Sequence, residues 1–238
     1  MEQQKSDSVT PLRDLREAAE TYDSGLNWVN QEKLGAQITY RSVKRMFDFL
    51  ASLVALVLLS PMFAIVALLI KLDDPKGPVF YSQTRIGQGG RAFRMWKFRS
   101  MCVGAEKMKK KLMAQNEVNG AMFKMKDDPR VTNIGKFIRK TSIDELPQLW
   151  NALVGDMSLV GPRPPLPGEV DKYSDYDKQR LLVQPGCTGL WQVSGRNDVG
   201  FHEMVELDIR YIQTRSLSSD IVIMIKTVWI MVHPNGAY

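Results

Sequence analysis

From Phe49 to Ile70 the chain reads FLASLVALVLLSPMFAIVALLI, 22 residues without a charge, and no other stretch rivals it for apolar length. At a rise of about 1.5 Å per residue, a continuous helix of that length matches a hydrocarbon core about 30 Å thick. It does not read as a cleavable leader: the polar stretch ahead of it is too long, and no small-residue cleavage site follows. Ser60-Pro61 falls in the middle of the run, where proline removes an N–H and presses on the preceding turn. The carbonyl freed there needs another donor in lipid, and the Ser60 hydroxyl is the local candidate. Arg41, Lys44 and Arg45 precede the run, and Lys71, Lys76, Arg85 and Arg91 follow it. Positive residues collect on the cytoplasmic side of a membrane. A helix that breaks at Ser60-Pro61 and returns to its starting face satisfies both flanks, whereas a straight span satisfies one.

The remaining pattern predicts short elements, mainly α with minor β. Residues 1–40 are polar and lack sustained periodicity beyond a helical patch at 12–21, as in a poorly ordered or loosely docked extension. Residues 41–75 form the membrane hairpin, and 76–238 the body. Pro75 to Gly90 reads as turn, strand and Gly-rich turn, and Phe93 to Met101 alternates large apolar with basic residues as a strand does. Helices are expected over Gly104–Glu117, Ile134–Arg139, Asp144–Leu153, Phe201–Thr214 and Asp220–Val232. Gly161 to Pro167 must be irregular, because four prolines fall within it. Ile221 to Val232 is apolar but only 12 residues long, too short to span. It is either a buried core helix or an amphipathic helix lying in the membrane interface with Trp229 at headgroup depth.

Charge narrows the partners. The net charge is +6, yet residues 1–40 hold four Lys/Arg against seven Asp/Glu, so the body carries +9. Such a surface attracts anions: phosphates, nucleic acid or acidic lipid. Two cysteines and two histidines leave little for a disulfide framework or a zinc site. Any metal would be a hard cation held by oxygen.

The candidate chemistry begins at TSIDELPQLW (141–150). Asp144 and Glu145 are adjacent carboxylates that follow the cations Lys136, Arg139 and Lys140. A capping role competes with a catalytic one here. Ser142 and Glu145 fit a capping box, although Pro147 suits a helix capped by Asp144 better, and a helix N-terminus also binds phosphate. GDMSLVGPRPPLP (155–167) presents Arg163 between prolines in a stiff loop, suited either to bidentate phosphate recognition or to a surface ion pair. Lys97 and Arg99 in KFRSM add two cations.

Taken in order, these segments resemble the bacterial polyprenyl-phosphate sugar-1-phosphate transferases. The resemblance covers about residues 41–238 and rests on the Ser60-Pro61 hairpin, YSQTRIG (81–87), KFRSM (97–101) and DDPRVTNIGKFIRKTSIDELPQLWN (127–151). GDMSLVGPRP (155–164), PGCTGLWQVSGRN (185–197) and the ELDIRYI…SLSSDI run (206–221) complete it. It implies a monotopic protein of the inner membrane, with a re-entrant helix and a catalytic domain on the cytoplasmic face. The implied reaction moves a hexose-1-phosphate from a UDP-sugar to undecaprenyl phosphate, with release of UMP. By the resemblance Asp144 is the nucleophile and Glu145 a ligand of Mg²⁺, with Mn²⁺ as a substitute. Arg139, Asp156, Arg163 and Asp220 match functional positions, and Lys97, Arg99 and Arg85 match substrate or phosphate contacts. The implied partners are the UDP-sugar, undecaprenyl phosphate and membrane lipid rather than nucleic acid, with room for a homodimer. GLWQVSGRN looks more like the members that use UDP-galactose or UDP-glucose; an N-acetylated sugar is the alternative. A non-catalytic, membrane-anchored basic module is the rival from another class. The chain resembles the compact form of the family, without the extra membrane domain of its large members.

Overall fold

The computed structural model describes residues 28–105, 107, 108, 125, 128–195 and 200–232. Most of the helix expected over 104–117, Arg196 and Asn197 of PGCTGLWQVSGRN, and the first 27 residues lie outside that set. Residues 28–40 are docked on the body. The side chain of Asn30 accepts from the Lys33 N–H and starts α1 (Gln31–Ala36). The buried Val29 donates its N–H to Gln179 Oε1 at 2.6 Å, and Trp28 packs edge-on against Tyr176.

Helix α2 then runs from Ile38 to Asp73, 36 residues, or about 54 Å at the α-helical rise. Among the described residues it is the one helix long and apolar enough to cross a membrane. Its helical backbone continues through Pro61. The carbonyl that proline orphans is that of Val57, four residues back, and Ser60 Oγ donates to it at 2.7 Å, as the sequence anticipates. The middle of α2 presents bare apolar side chains, among them Leu53, Val54, Val57, Leu58, Ile65 and Leu68.

Both ends of α2 are fastened to the body. Toward its start, Tyr40 and Lys44 donate to Asp220 Oδ2 (2.9 and 2.8 Å). One turn on, Arg45 donates to the Ala152 and Leu153 carbonyls, and the fully buried Asp48 accepts from Ser158 Oγ at 2.7 Å and the Leu159 N–H at 3.2 Å. Toward its end, Val66 and Ile70 join Phe98 and Ile138 in a small core. Asp73 accepts from the Ile134 N–H, and Asp74 pairs with Arg99 at 2.7 Å.

The β content of the described residues is two small sheets. Strands β1 (Phe80–Ile86) and β2 (Ala92–Phe98) form an antiparallel hairpin in register from Phe80↔Phe98 to Ile86↔Ala92. Its turn uses Gly89 and Gly90 at φ 65° and 78°, left-handed values that suit glycine. After α3 (Asn133–Lys140) and α4 (Gln148–Val154), β3 (Ser158–Val160) pairs in parallel with β4 (Gly186–Thr188). Two short helices, α5 (Pro167–Val170) and α6 (Asp175–Lys178), lie between those strands. The chain goes on through α7 (Leu190–Ser194), α8 (Phe201–Thr214) and α9 (Leu217–Val232). The larger core gathers Val160, Val183, Val193 and Ile223 around Val205, Ile209 and Ile212 of α8, spaced at three and four residues so that they share one face.

One expectation changes, and one open alternative is narrowed. The helix expected over Asp144–Leu153 is a single 3-10 turn, Ile143–Glu145, followed by α4. Ser142 enters that turn at φ 56°, and Pro147 stands at the N-cap of α4, where its missing N–H costs nothing. Second, Ile221 to Val232 is not a core helix: in α9 only Asp220 and Ile223 are buried, and Ile225, Val228, Trp229 and Val232 are all above 60% exposed.

Candidate active site

Asp144 is buried, and no helix uses it as a cap. Ser142, the N-cap of the 3-10 turn, makes no side-chain cap bond, and neither does Pro147 at the start of α4. Both capping readings of TSIDELPQLW are therefore overturned. Ser142 is the only described non-glycine residue with positive φ, and it lies two positions from Asp144. Such strain persists where the surroundings hold it and tends to collect at functional sites.

The turn aims the carboxylate pair at β2. Asn151 of α4, fully buried, donates to the Arg94 carbonyl at 2.7 Å and accepts from the Trp96 N–H at 3.0 Å. That clip holds β2 against α4, and the next strand residue, Lys97, meets Glu145 Oε1 at 2.7 Å. Burial pushes the Asp144 carboxyl up to about 6; the Glu145 charge adds to the rise, and Lys97 and Arg139 oppose it. Arg139 itself is exposed at the last turn of α3, where a cation also complements the helix end.

A second group of charges stands beside the first. Arg85 of β1 is buried and donates to the Pro164 carbonyl and to Gln83 Oε1, both at 2.9 Å. The adjacent Ile86 N–H donates to the Pro165 carbonyl, so the proline loop is stitched to the edge of the hairpin. Burial lowers the Arg85 guanidinium to about 10, and nearby Arg163 contributes, while Glu169 and Glu145 resist. It stays cationic at neutral pH. Arg163 is paired with Glu169 at 3.3 Å, and its carbonyl accepts from Arg180. Arg180 is almost wholly buried and paired with Asp208 at 2.7 Å.

The result is one buried carboxyl and one partly exposed carboxylate among Lys97, Arg139, Arg85 and Arg163. Cations so placed suit a polyphosphate, and a desolvated carboxylate can attack phosphorus. Among the described residues no group of three or more His, Cys, Asp or Glu side chains gathers to hold a metal. Mg²⁺, however, commonly takes one or two carboxylates and fills its remaining positions with water and substrate phosphates. Glu145, partly exposed beside Asp144, is a carboxylate that could fill that role.

Residues 39–234 match the family described as bacterial sugar transferase. The chain belongs to that family. It is 49% identical over 195 residues to the galactosyl transferase CpsE of Streptococcus agalactiae, covering 82% of this chain and 43% of that protein. It is 44% identical to the undecaprenyl-phosphate galactose phosphotransferase of Salmonella typhimurium, covering 85% of this chain and 43% of the relative. With the exopolysaccharide production protein ExoY of Rhizobium meliloti the identity is 43%, over 82% of this chain and 88% of the relative. The chain thus spans less than half the length of the first two.

Of the residues that the family resemblance singles out, the fold brings Asp144, Glu145, Lys97 and Arg139 together, with Arg85 and Arg163 alongside. Three stand elsewhere. Arg99 is buried in its bond to Asp74 at the exit of α2, so its guanidinium is committed to the helix rather than offered to a phosphate. Asp220 is buried at the other end of α2, bonded to Tyr40, Lys44 and Tyr211. Asp156 is exposed and accepts from Asn151 at 3.2 Å, one bond from the clip on β2. Sequence reasoning missed Asn151, Glu169, Arg180 and Asp208. The lone acid Asp48 beside the apolar run was a signal it passed over; the Arg180–Asp208 pair, 28 residues apart, carried none.

Proposed function

We propose that this chain transfers a hexose-1-phosphate from a UDP-sugar to undecaprenyl phosphate, the first membrane step in building an exopolysaccharide or capsule repeat. Asp144 is the covalent nucleophile. The observation that carries this is a buried carboxyl, relieved of any capping task, facing Lys97 and Arg139 beside the Arg85–Arg163 group. An Asp144 oxygen attacks the phosphorus that bears the sugar, the bond from that phosphorus to the bridging oxygen breaks, and UMP leaves with the electron pair. An oxygen of the lipid phosphate then attacks the same phosphorus, and the Asp144 carboxylate is released. Lys97, Arg85 and Arg163 offset the charge of both substrates. Mg²⁺ bound at Glu145, with Mn²⁺ as its substitute, would polarise the pyrophosphate. Two relatives are named for galactose, which favours UDP-galactose, with UDP-glucose next.

The test is a screen of UDP-sugars, N-acetylated ones included, for UMP release by purified protein with undecaprenyl phosphate. One plain UDP-hexose should lead, and EDTA should stop the reaction. Release with none of them, or undiminished release in EDTA, would overturn the scheme. A membrane-anchored binding module would release no UMP at all.

The acid limb of the rate should follow Asp144. Its carboxylate must be ionised to attack, so activity should fall about tenfold per pH unit below about 6 and level off above it. Because Asp144 and Glu145 interact, the midpoint belongs to the pair. A limb centred near pH 4 would mean that the attacking group is not the buried one.

We also propose that α2 enters and leaves the membrane on the cytoplasmic face as a continuous helix that bends, without breaking, near Ser60-Pro61. Its two ends bind one and the same body, through Asp220, Ser158 and α4 at the start and through Arg99 and Ile134 at the finish. The bare apolar face of α9 would lie in the same interface. Cysteines placed at the exposed positions Ser42 and Lys76 should both react with an impermeant maleimide only after the cells are opened. Labelling of either in intact cells would instead mean a straight span.

A further inference from the structure

We propose that a cavity against the first turns of α2 is a binding site for the headgroup phosphate of an anionic phospholipid, separate from the carboxylate pair. The cavity measures about 890 Å³, within the range of about 300–1,000 Å³ usual for small-molecule sites. It includes none of Asp144, Glu145, Lys97, Arg139, Arg85 or Arg163. Its wall carries Arg41, Lys44, Arg45 and Arg215, and no Asp or Glu. Lys44 is answered by Asp220 at 2.8 Å. The three arginines have no carboxylate partner among the described residues. Arg45 spends its donors on the carbonyls of Ala152 and Leu153; Arg215 donates to Gln37 Oε1 at 3.1 Å and lies over the Tyr40 ring. Arg41 is exposed at the mouth. Burial lowers the Arg215 guanidinium from its ordinary range, with the Arg41 charge adding to the effect and Tyr40, Tyr211 and Asp220 opposing it, so an anion bound among these cations would be stabilised by both guanidiniums. Guanidinium groups match phosphate oxygens well.

The apolar share of the wall suggests that the anion carries a chain. Ile38, Met46 and Phe49 line the cavity and are exposed. Arg41 and Arg45 immediately precede the uncharged run, which puts them at headgroup depth if α2 lies in a bilayer, and the inference rests on that part of the reading above. The acceptor lipid is a poorer occupant. Its phosphate must reach the phosphorus held at Asp144, ahead of the start of α4, whereas Arg45 grips the Ala152 and Leu153 carbonyls toward the far end of that helix, about 6–8 Å along.

Native mass spectrometry of the full chain in detergent, offered equal phosphatidylglycerol and phosphatidylcholine, tests this. Wild type should retain one phosphatidylglycerol about tenfold in preference. Arg41→Gln, at an exposed position, should cut the preference about fivefold, since each basic residue near an anionic surface contributes about 1 kcal/mol. Arg41→Gln/Arg215→Gln should bring the ratio close to one, with unchanged thermal unfolding of the single variant as the control for folding. Equal retention of both lipids by wild type, or an unchanged preference in Arg41→Gln, would overturn the proposal. Displacement of the lipid by equimolar inorganic phosphate would overturn it in favour of a soluble anion. A raised KM for undecaprenyl phosphate in Arg41→Gln would assign the cavity to the acceptor instead. Lipid retention needs no turnover, so a failed transferase assay leaves this result readable.

Discussion

Asp144→Asn should abolish transfer while making the protein more stable. Given UDP-sugar alone, wild type should release about one UMP per active site and carry the phosphosugar as a covalent adduct visible by intact mass. The variant should show neither, and its steady-state rate should fall by at least about a thousandfold, because an amide cannot form the acyl phosphate. Stability moves the other way. Burial, reinforced by Glu145, raises the folded-state carboxyl to about 6 from an ordinary 3.8, so the folded chain holds the Asp144 proton more tightly than the unfolded chain does. The ionised side chain therefore costs nothing below about pH 3.8, and the penalty is complete above about pH 6. Two units correspond to roughly 3 kcal/mol at most. Asparagine escapes that penalty, so thermal unfolding at pH 7.5 should rise by several degrees, and the gain should vanish near pH 4. A residue kept at the expense of stability is the signature of a site. Near-normal turnover in the variant would relocate the nucleophile.

Arg180→Met should be the most damaging substitution outside the carboxylate pair. Arg180 and Asp208 are both about 1% exposed and lie 2.7 Å apart, and Arg180 also donates to Tyr173 Oη and to the Arg163 carbonyl. Removing the cation strands Asp208 as a buried, unpaired charge, which costs about 3–5 kcal/mol. For a chain of this size that is on the order of ten degrees of unfolding temperature. The double variant Arg180→Met/Asp208→Leu removes both charges and should recover most of the loss. It should not recover activity, because the Arg163 carbonyl still lacks its donor and the loop that presents the guanidinium is looser. Recovery of both stability and turnover would reduce the pair to a packing role.

Much of the architecture is legible in local chemistry. A run of 22 uncharged residues leaves few alternatives to a membrane helix, and the geometry of Pro61 dictates which carbonyl is orphaned and which hydroxyl stands within reach. Glycine at 89 and 90 permits the tight hairpin turn, and the spacing of Val205, Ile209 and Ile212 marks the buried face of α8. Asp144 and Glu145 stand out because two carboxylates beside a basic run, ahead of a proline, make a rare local pattern. What that pattern could not decide was whether Asp144 caps a helix. A cap depends on the backbone angles at 142 and 147, which the rest of the fold imposes, and it puts Ser142 in the left-handed region instead of at a helix start.

The tertiary structure alone decided which cations reach the carboxylates. Lys97 and Arg99 are two residues apart in KFRSM and share a side of the chain's pattern. Yet the Asn151 clip delivers Lys97 to Glu145, while Asp74, at the exit of α2, takes Arg99. Asp220 likewise follows from the return of α9 past the start of α2, not from anything near it in sequence. Charges interact through space over a few ångströms, and only packing sets which distant segments come that close. The sequence by itself determined the long apolar segment, the family resemblance and the candidate nucleophile. The fold then decided which cations gather beside the carboxylate pair and which hold the helix.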